Sequence, residues 1–190
     1  MRTINSLGGA LLIAFFTAVS VFSQVNPPTP KLDVPYVPTS QAVVDAMLKL
    51  ANVKKGDVVY DLGCGDGRIP ITAAQRFGTR GVGIDLNPVR VQEANENAKK
   101  AGVTDKVKFI EGDIFKENFS EATVLTLYLL PTVNLKLRPT ILQMKPGTRV
   151  VSHNYHMEDW APEQTKEMKT PDGEMHYIYF WRVPEKTPVK

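Results

Sequence analysis

Apolar and polar residues follow one another along this chain in blocks that predict alternating strands and helices. Short apolar runs, four of them closed by an acidic residue, a glycine or a proline, predict five strands, at 58–62, 81–84, 107–110, 122–130 and 149–153. Helical patterns precede or separate them at 41–51, 68–77, 88–101 and 134–144. The last of these contains Pro139, which we expect to interrupt the helix. Two further strands flank the turn signal Pro171-Asp172-Gly173.

Strands that alternate with helices form parallel sheets, because each helical crossover returns the chain to the same end of the sheet. The pattern therefore predicts an α/β fold, a doubly wound, mostly parallel seven-stranded sheet of the Rossmann-like type with an antiparallel C-terminal hairpin. The chain has 190 residues, of which 43% are hydrophobic and 23% charged, which suits one domain with a substantial core. We expect this domain at 33–184, followed by a short tail at 185–190.

The amino terminus differs in composition from the rest of the chain. Arg2 precedes an apolar run of about 16 residues, shorter than the roughly 20 that span a bilayer comfortably. We interpret residues 1–23 as a signal peptide or membrane anchor and 24–32 as a proline-rich linker. The protein would then be exported, periplasmic or membrane-anchored by this segment, and cytoplasmic if translation starts further on.

The segment 58–67 reads VVYDLGCGDG, an apolar run followed by three alternating glycines, and a helical pattern comes next. Strand, glycine turn and helix form the opening of a nucleotide-binding βαβ unit. Glycine suits such a turn because it tolerates positive φ and allows backbone N–H groups to approach a ligand closely.

Three acidic residues lie at or beside the carboxyl ends of successive predicted strands, namely Asp61, Asp85 and Asp113. In doubly wound sheets, ligands bind at these carboxyl ends. Asp85 lies 24 residues after Asp61, near the spacing at which an acid meets the ribose hydroxyls of a nucleoside. Asp113 would accept from an exocyclic amine, although an isolated acid after a strand is usually a turn former.

The glycine loop itself carries Asp61 and Asp66 and has no phosphate-binding lysine. Negative charge in the loop disfavours a phosphate ligand and favours one with an ammonium or sulfonium group. S-adenosyl-L-methionine has both cations, a ribose and an adenine. The sequence therefore predicts a site for this cofactor and no metal site.

The motifs DLGCGDG, GIDLNP and GDIF are similar to those of class I S-adenosylmethionine-dependent methyltransferases. The segments DVPYVPT, TLYLLPTVN and MKPGTRVVSH resemble more narrowly a group of protein lysine methyltransferases, with archaeal broad-specificity members and mitochondrial members that act on the c subunit of ATP synthase. The resemblance covers about residues 33–183.

This resemblance implies a set of cofactor-binding residues. They are the flap residues Tyr36 and Thr39, the loop residues Asp61, Gly63, Gly65 and Gly67 around the methionine part, Asp85 and Leu86 at the ribose, and Asp113 and Ile114 at the adenine.

The resemblance also implies a lysine side chain of a protein substrate as methyl acceptor, and no nucleic acid. We expect Tyr128 and Asn134 to orient the acceptor amine, while His153 either lines the pocket or is a structural residue at a strand end. Two other functions stay open: a methyltransferase for small amines or thiols, and an exported cofactor-binding module without turnover.

Overall fold

The computed structural model of the protein describes residues 36–185. Four helices form from the predicted blocks: α1 (Gln41–Leu50), α2 (Arg68–Phe77), α3 (Pro88–Ala101) and α4 (Pro131–Leu142). Seven strands accompany them: β1 (Val58–Leu62), β2 (Arg80–Asp85), β3 (Val107–Glu111), β4 (Val124–Leu127), β5 (Arg149–His153), β6 (Gln164–Lys169) and β7 (Met175–Arg182).

All seven strands belong to one sheet, in the order β3-β2-β1-β4-β5-β7-β6. Strands β1 to β5 are parallel to one another, and β7 runs antiparallel to both β5 and β6. The predicted fold class is thus confirmed. The strand order reverses between β1 and β4, which is the position at which ligands bind in doubly wound sheets.

Apolar side chains cover both faces of the sheet. On one face, α4 packs through Leu137 and Ile141 onto a cluster that includes Trp181 of β7. On the other face, α1 packs onto β5 and β7, and α2 and α3 cover the strands nearer β3. Strands β1 and β4 are buried along their whole length, as their continuous apolar runs predict.

The region after β4 differs from the prediction. The strand ends at Leu127 rather than 130, and α4 begins at Pro131 rather than 134. Pro131 occupies the first turn of the helix, where its missing N–H costs nothing, and it restricts Leu130 before it to extended backbone. Pro139 lies inside α4 without interrupting it, because the proline is on the exposed face, where the carbonyl it leaves unpaired can bond to water.

The predicted signal peptide or anchor, the linker and the last five residues of the tail lie outside the described residues. Between residues 36 and 185, none of the helices is both long and apolar enough to cross a membrane.

Candidate active site

An open cleft of about 950 Å³ lies at the carboxyl ends of β1, β2 and β4, at the reversal of strand order. The flap at 36–39, the glycine loop after β1 and the loops after β2, β3 and β4 form its walls. Nine of the ten residues predicted to bind the cofactor line this cleft: Tyr36, Thr39, Asp61, Gly63, Gly65, Asp85, Leu86, Asp113 and Ile114. Gly67 does not line it.

The glycine loop has the backbone that its sequence predicts. Gly63, Gly65 and Gly67 have φ values of 75°, 53° and 77°, which side-chain-bearing residues rarely adopt. A Cβ on Gly65 would lie 2.4 Å from the Tyr36 ring, so the flap rests directly on this glycine. A Cβ on Gly67 would lie 2.5 Å from Phe109. Gly67 therefore serves the packing of α2 on the sheet, and its contact with the cofactor stays a prediction.

Asp61 is buried inside the sheet at the base of the cleft, with 4% of its surface exposed. Its sheet neighbours are Gly83 on β2 and Thr126 on β4, and the Thr126 hydroxyl donates to its Oδ1 at 2.6 Å. Burial raises the pKa of Asp61 to about 7, and the nearby carboxylates of Asp85 and Asp66 act in the same direction against the Thr126 hydrogen bond. This carboxyl lacks a positive partner among the described residues that would hold it ionised.

Asp85, at the end of β2, organises the glycine loop as well as lining the cleft. Its Oδ2 accepts from the Gly65 N–H at 2.8 Å, and its Oδ1 accepts from the Asn87 N–H at 2.9 Å. A carboxylate oxygen has two lone pairs, so each oxygen of Asp85 keeps one for a ligand hydroxyl.

Asp113, in the loop after β3, is both a turn former and a cleft residue. Its Oδ1 accepts from the Phe115 N–H at 3.0 Å, and Lys116 lies 3.1 Å from its Oδ2. The Phe115 hydrogen bond, followed by Lys116, lowers the pKa of Asp113. It reaches the cleft beside Ile114 and Phe115, which supply apolar surface suited to an aromatic ring.

Asp66 does not offer a free negative charge to a ligand, in contrast to the sequence interpretation. Arg68 donates to both of its oxygens, at 2.8 and 2.6 Å, and holds the pKa of Asp66 below its usual value despite partial burial. The same guanidinium donates to the Thr39 carbonyl at 2.6 Å. This ion pair therefore fixes the flap to the glycine loop.

Tyr128 lies in the wall of the cleft just after β4, as predicted. Its hydroxyl is hydrogen-bonded to the side chain of Asn154, and its ring lies beside those of His153 and Tyr155, with centroid distances of 3.9 and 6.1 Å. Burial raises the pKa of Tyr128, so the hydroxyl stays protonated at neutral pH.

Asn134 is not among the residues that line the cleft, and its contact with the acceptor stays a prediction. It lies within α4 with 0% of its surface exposed. Its amide nitrogen is 3.4 Å from both the Ser152 hydroxyl and the Tyr155 carbonyl, so it supports the segment after β5. The amide that contacts Tyr128 belongs to Asn154.

A model of the ANTKMT methyltransferase domain matches residues 61–164, more than half of the chain and all of the cleft except the flap. The chain belongs to this methyltransferase family. It is an S-adenosyl-L-methionine-dependent enzyme, as predicted.

Individual relatives extend the match to most of the methyltransferase. A protein-lysine N-methyltransferase of Saccharolobus islandicus is 46% identical and matches over 80% of this chain and 95% of its own length. A mouse lysine N-methyltransferase named for the c subunit of ATP synthase is 31% identical and matches over 84% of this chain and 63% of its own. A solved structure described as an RNA methyltransferase from Salinibacter ruber, in complex with S-adenosyl-L-homocysteine, is 53% identical with a TM-score of 0.75, covering 81% of this chain and 98% of that one.

The cleft of the methyltransferase fits its cofactor on structural grounds. Asp61 is a buried carboxyl that a cation would stabilise in its ionised form, and the methionine part of the cofactor carries an ammonium. Asp85 has one lone pair free on each oxygen for two ribose hydroxyls. Leu86, Ile114 and Phe115 offer apolar surface for the adenine.

Several cleft residues of the methyltransferase were not predicted from its sequence. Arg68 and Arg90 hold the flap: Arg68 through Asp66 and Thr39, Arg90 by stacking 4.6 Å above the Tyr36 ring. Leu129 packs where a side chain on Gly63 would be, 2.8 Å away. The arginines had a sequence signal, since each lies in the first turn of a helix next to a predicted binding loop.

Proposed function

We propose that this methyltransferase transfers the methyl group of S-adenosyl-L-methionine to the side-chain amine of a lysine in a protein substrate. The observation that carries the proposal is the charge of the cleft. Four carboxyl groups line it, those of Asp61, Asp66, Asp85 and Asp113, against two guanidinium groups, those of Arg68 and Arg90.

Both guanidinium groups already have protein partners. Arg68 is paired with Asp66, and Arg90 pairs with Glu93 at 2.6 Å while stacking on Tyr36. The lining is therefore net acidic, which attracts a cationic side chain and repels a polyanion. Similarity to two known lysine methyltransferases supports the same acceptor.

The cleft wall at Tyr128 suits an amine on a long aliphatic stem. The rings of Tyr128 and Tyr155 lie 6.1 Å apart and nearly parallel, which offers apolar and π surface to such a stem and its ammonium. Glu174 lies near enough to act on the Tyr128 hydroxyl, and it adds negative charge on this side.

The chemistry requires alignment and the loss of a proton. When bound, the cofactor supplies a methyl group on a sulfonium, which a nucleophile displaces in line. An ammonium has no lone pair, so a lysine acceptor must lose one proton first. Enclosure between Tyr128 and the flap favours the neutral amine by desolvation, and the Tyr128 hydroxyl is placed to orient it.

Transfer to RNA is the second candidate, because the Salinibacter structure is described as an RNA methyltransferase. RNA binding depends on cationic side chains along the phosphate backbone. The paired guanidinium groups of this cleft argue against it.

The test uses the full chain, methyl-labelled cofactor, and an extract of cells that lack this protein. We expect the label to be lost on protease treatment, to resist nuclease, and to appear as methyllysine after hydrolysis. Label that resists protease and is lost on nuclease treatment would show that the methyl acceptor is RNA rather than lysine. Label in small molecules alone would indicate a small amine or thiol as the acceptor. Asp85→Ala, which removes a predicted cofactor contact, serves as the inactive control.

A further inference from the structure

A continuous chain of hydrogen bonds connects the cleft to the protein surface. The Thr39 hydroxyl, in the flap, lies 3.3 Å from Nδ1 of His153, and Nε2 of His153 lies 2.9 Å from Nδ1 of His176. Nε2 of His176 lies 3.1 Å from the Thr170 hydroxyl, which donates to Asp172 in the turn between β6 and β7. Thr39 lines the cleft and Asp172 is exposed, so this chain of hydrogen bonds has one end in the cleft and the other at the protein surface.

The last acceptor sets the direction of every bond in this chain. The Thr170 hydrogen bond keeps the pKa of Asp172 below its usual value, so its carboxylate only accepts. Thr170 therefore donates outward, and its oxygen accepts from Nε2–H of His176. The Glu174 carbonyl, 3.2 Å from the same hydroxyl, could replace Asp172 without reversing the order, since a carbonyl also only accepts.

The same logic fixes both imidazoles. In its neutral form, His176 then has its proton on Nε2 and a bare Nδ1, which accepts from Nε2–H of His153. A neutral His153 likewise has a bare Nδ1, which accepts from the Thr39 hydroxyl. Neutral imidazoles therefore have the same tautomer in this chain and are aligned head to tail.

The surroundings bury this path between its ends. His153 is 1% exposed and His176 is 9% exposed. His153 is faced by Thr39 from the flap, by the Tyr128 ring from the end of β4 and by His176 from β7, while α1 contributes apolar Val44 and Met47 to the cluster on this face of β5. At the hairpin end, the charged neighbours are Asp172 and Glu174. Burial, followed by His176, lowers the pKa of His153 to about 4, in keeping with a neutral resting state.

We propose that Thr39, His153, His176, Thr170 and Asp172 form a relay that carries the proton lost by the acceptor ammonium from the cleft to solvent. This inference rests on the proposed function, since it needs an amine acceptor. Only Thr39 would touch the substrate. The two histidines act through it.

Each transfer in the relay breaks one bond to hydrogen and forms another. The ammonium N–H bond breaks and its electron pair stays on nitrogen as the lone pair that attacks the methyl carbon. Thr39 Oγ1 takes this proton as its own passes to His153 Nδ1. The Nε2 proton of His153 passes to His176, that of His176 passes to Thr170, and the Thr170 proton reaches Asp172 and then water. Before the next proton can pass, each of the two imidazoles must return to its Nε2–H tautomer.

The relay makes a specific prediction about pH. A free amine needs no proton outlet, and the ordinary lysine pKa is about 10.4. The variant His176→Gln keeps a polar side chain and cannot relay a proton. We expect its turnover at saturating cofactor to be lower than wild type by at least about tenfold near pH 7, the scale of one positioned proton-transfer group, and the deficit to close near pH 10.

The controls separate the relay from a structural role of the same residues. Thr170→Val removes the exit hydroxyl and should show the same closing deficit. The third histidine of the chain, His156, is exposed and outside the relay, so His156→Gln should match wild type at every pH. A deficit of the same size at all pH values, or no deficit, would overturn the relay. The proposed function would still stand in that case if the wild type transfers methyl groups to lysine. If the wild type transfers no methyl to lysine, both fall.

A second readout needs neither turnover nor a variant. Nitrogen-15 NMR of histidine in the wild-type protein should show both His153 and His176 as neutral Nε2–H tautomers at neutral pH. An imidazolium at either position, or an Nδ1–H tautomer, would break the head-to-tail order and overturn the proposal.

Discussion

The Thr126 hydroxyl on β4 donates a 2.6 Å hydrogen bond to the buried carboxyl of Asp61 on β1. The two residues are 65 positions apart in the sequence, and they are neighbours in space because β1 and β4 pair in the sheet. A carboxyl with one neutral donor and two nearby carboxylates has a reason to stay protonated until a cation arrives.

Cofactor affinity should depend on pH through Asp61. The pKa of Asp61 in the free protein is about 7, and the cofactor's ammonium favours the ionised form, so binding should release a proton below that pH. We expect affinity to fall as pH drops below about 7, by at most tenfold per pH unit. Calorimetry in buffers of different ionisation enthalpy measures both the affinity and the proton release, and a pH-independent affinity between about pH 5 and 8 would contradict this account.

Asp61→Asn should stabilise the free protein while weakening cofactor binding. The folded pKa, about 7, lies above the unfolded value, about 3.9, so the wild type loses stability as pH rises through this window. Asparagine does not titrate and can still accept from Thr126. We expect a higher melting temperature than wild type at pH 8 and no advantage near pH 4. Asp105→Asn, at an exposed position, is the control and should change neither quantity.

Gly65→Ala should weaken cofactor binding more than it affects the fold. Its Cβ would meet the Tyr36 ring at 2.4 Å, and its φ of 53° is strained for alanine, so the flap or the loop must move. We expect cofactor affinity to fall by more than about tenfold. Gly102→Ala is the matched control: its φ is 66° and its Cβ would meet no atom within 4 Å, so it should lower stability by about 1 kcal/mol and leave binding unchanged. Equal binding by both variants would refute the role of the flap contact.

Tyr128→Phe should lower turnover without changing cofactor affinity. It keeps the ring contacts with His153 and Tyr155 and removes the hydroxyl that is bonded to Asn154. We expect kcat to fall by about tenfold, the scale of one hydrogen bond. Tyr177→Phe, an exposed tyrosine on β7, should keep wild-type kinetics. A Tyr128→Phe enzyme with wild-type kcat would exclude the hydroxyl from acceptor orientation.

The opposite end of the sheet should matter for stability alone. Asp57 forms a buried ion pair with Arg149 and also accepts from Thr123 and the Lys54 N–H, at 2.9 and 2.8 Å. Asp57→Ala leaves the guanidinium buried without its carboxylate, and we expect a loss of about 3–5 kcal/mol in unfolding free energy. Denaturant titration measures it. Asp159→Ala, which breaks the exposed pair with Arg138, should have little effect, and similar losses in the two variants would contradict the importance of burial.

The sequence predicted the parts of this structure that are governed by local patterns. Apolar runs and their terminating residues located every strand and helix, and alternating glycines located the loop, because positive φ leaves a mark in residue choice. Asp61 and Asp85 followed from their positions at strand ends. The error at β4 and α4 arose because Pro131 was read as a strand terminator, whereas it also starts a helix.

What the sequence did not predict depends on contacts between distant segments. Asn134 and Asn154 are equally plausible amides in a sequence, and only the packing of α4 against the segment after β5 shows that the second contacts Tyr128. The pairing of Asp66 with Arg68 required a side-chain conformation that spacing does not give. The contact between His153 and His176 requires the antiparallel register of β5 and β7.

Mass spectrometry of the products shows directly whether the acidic cleft methylates a protein lysine. Substrate proteins incubated with the full chain and labelled cofactor would be digested and each added methyl group assigned to a residue, with Asp85→Ala in parallel. We expect labelled methyl groups on lysine side chains with the wild type and none with the variant. Labelled methyl groups on nucleotides or small thiols, with every protein lysine unmodified, would contradict this expectation.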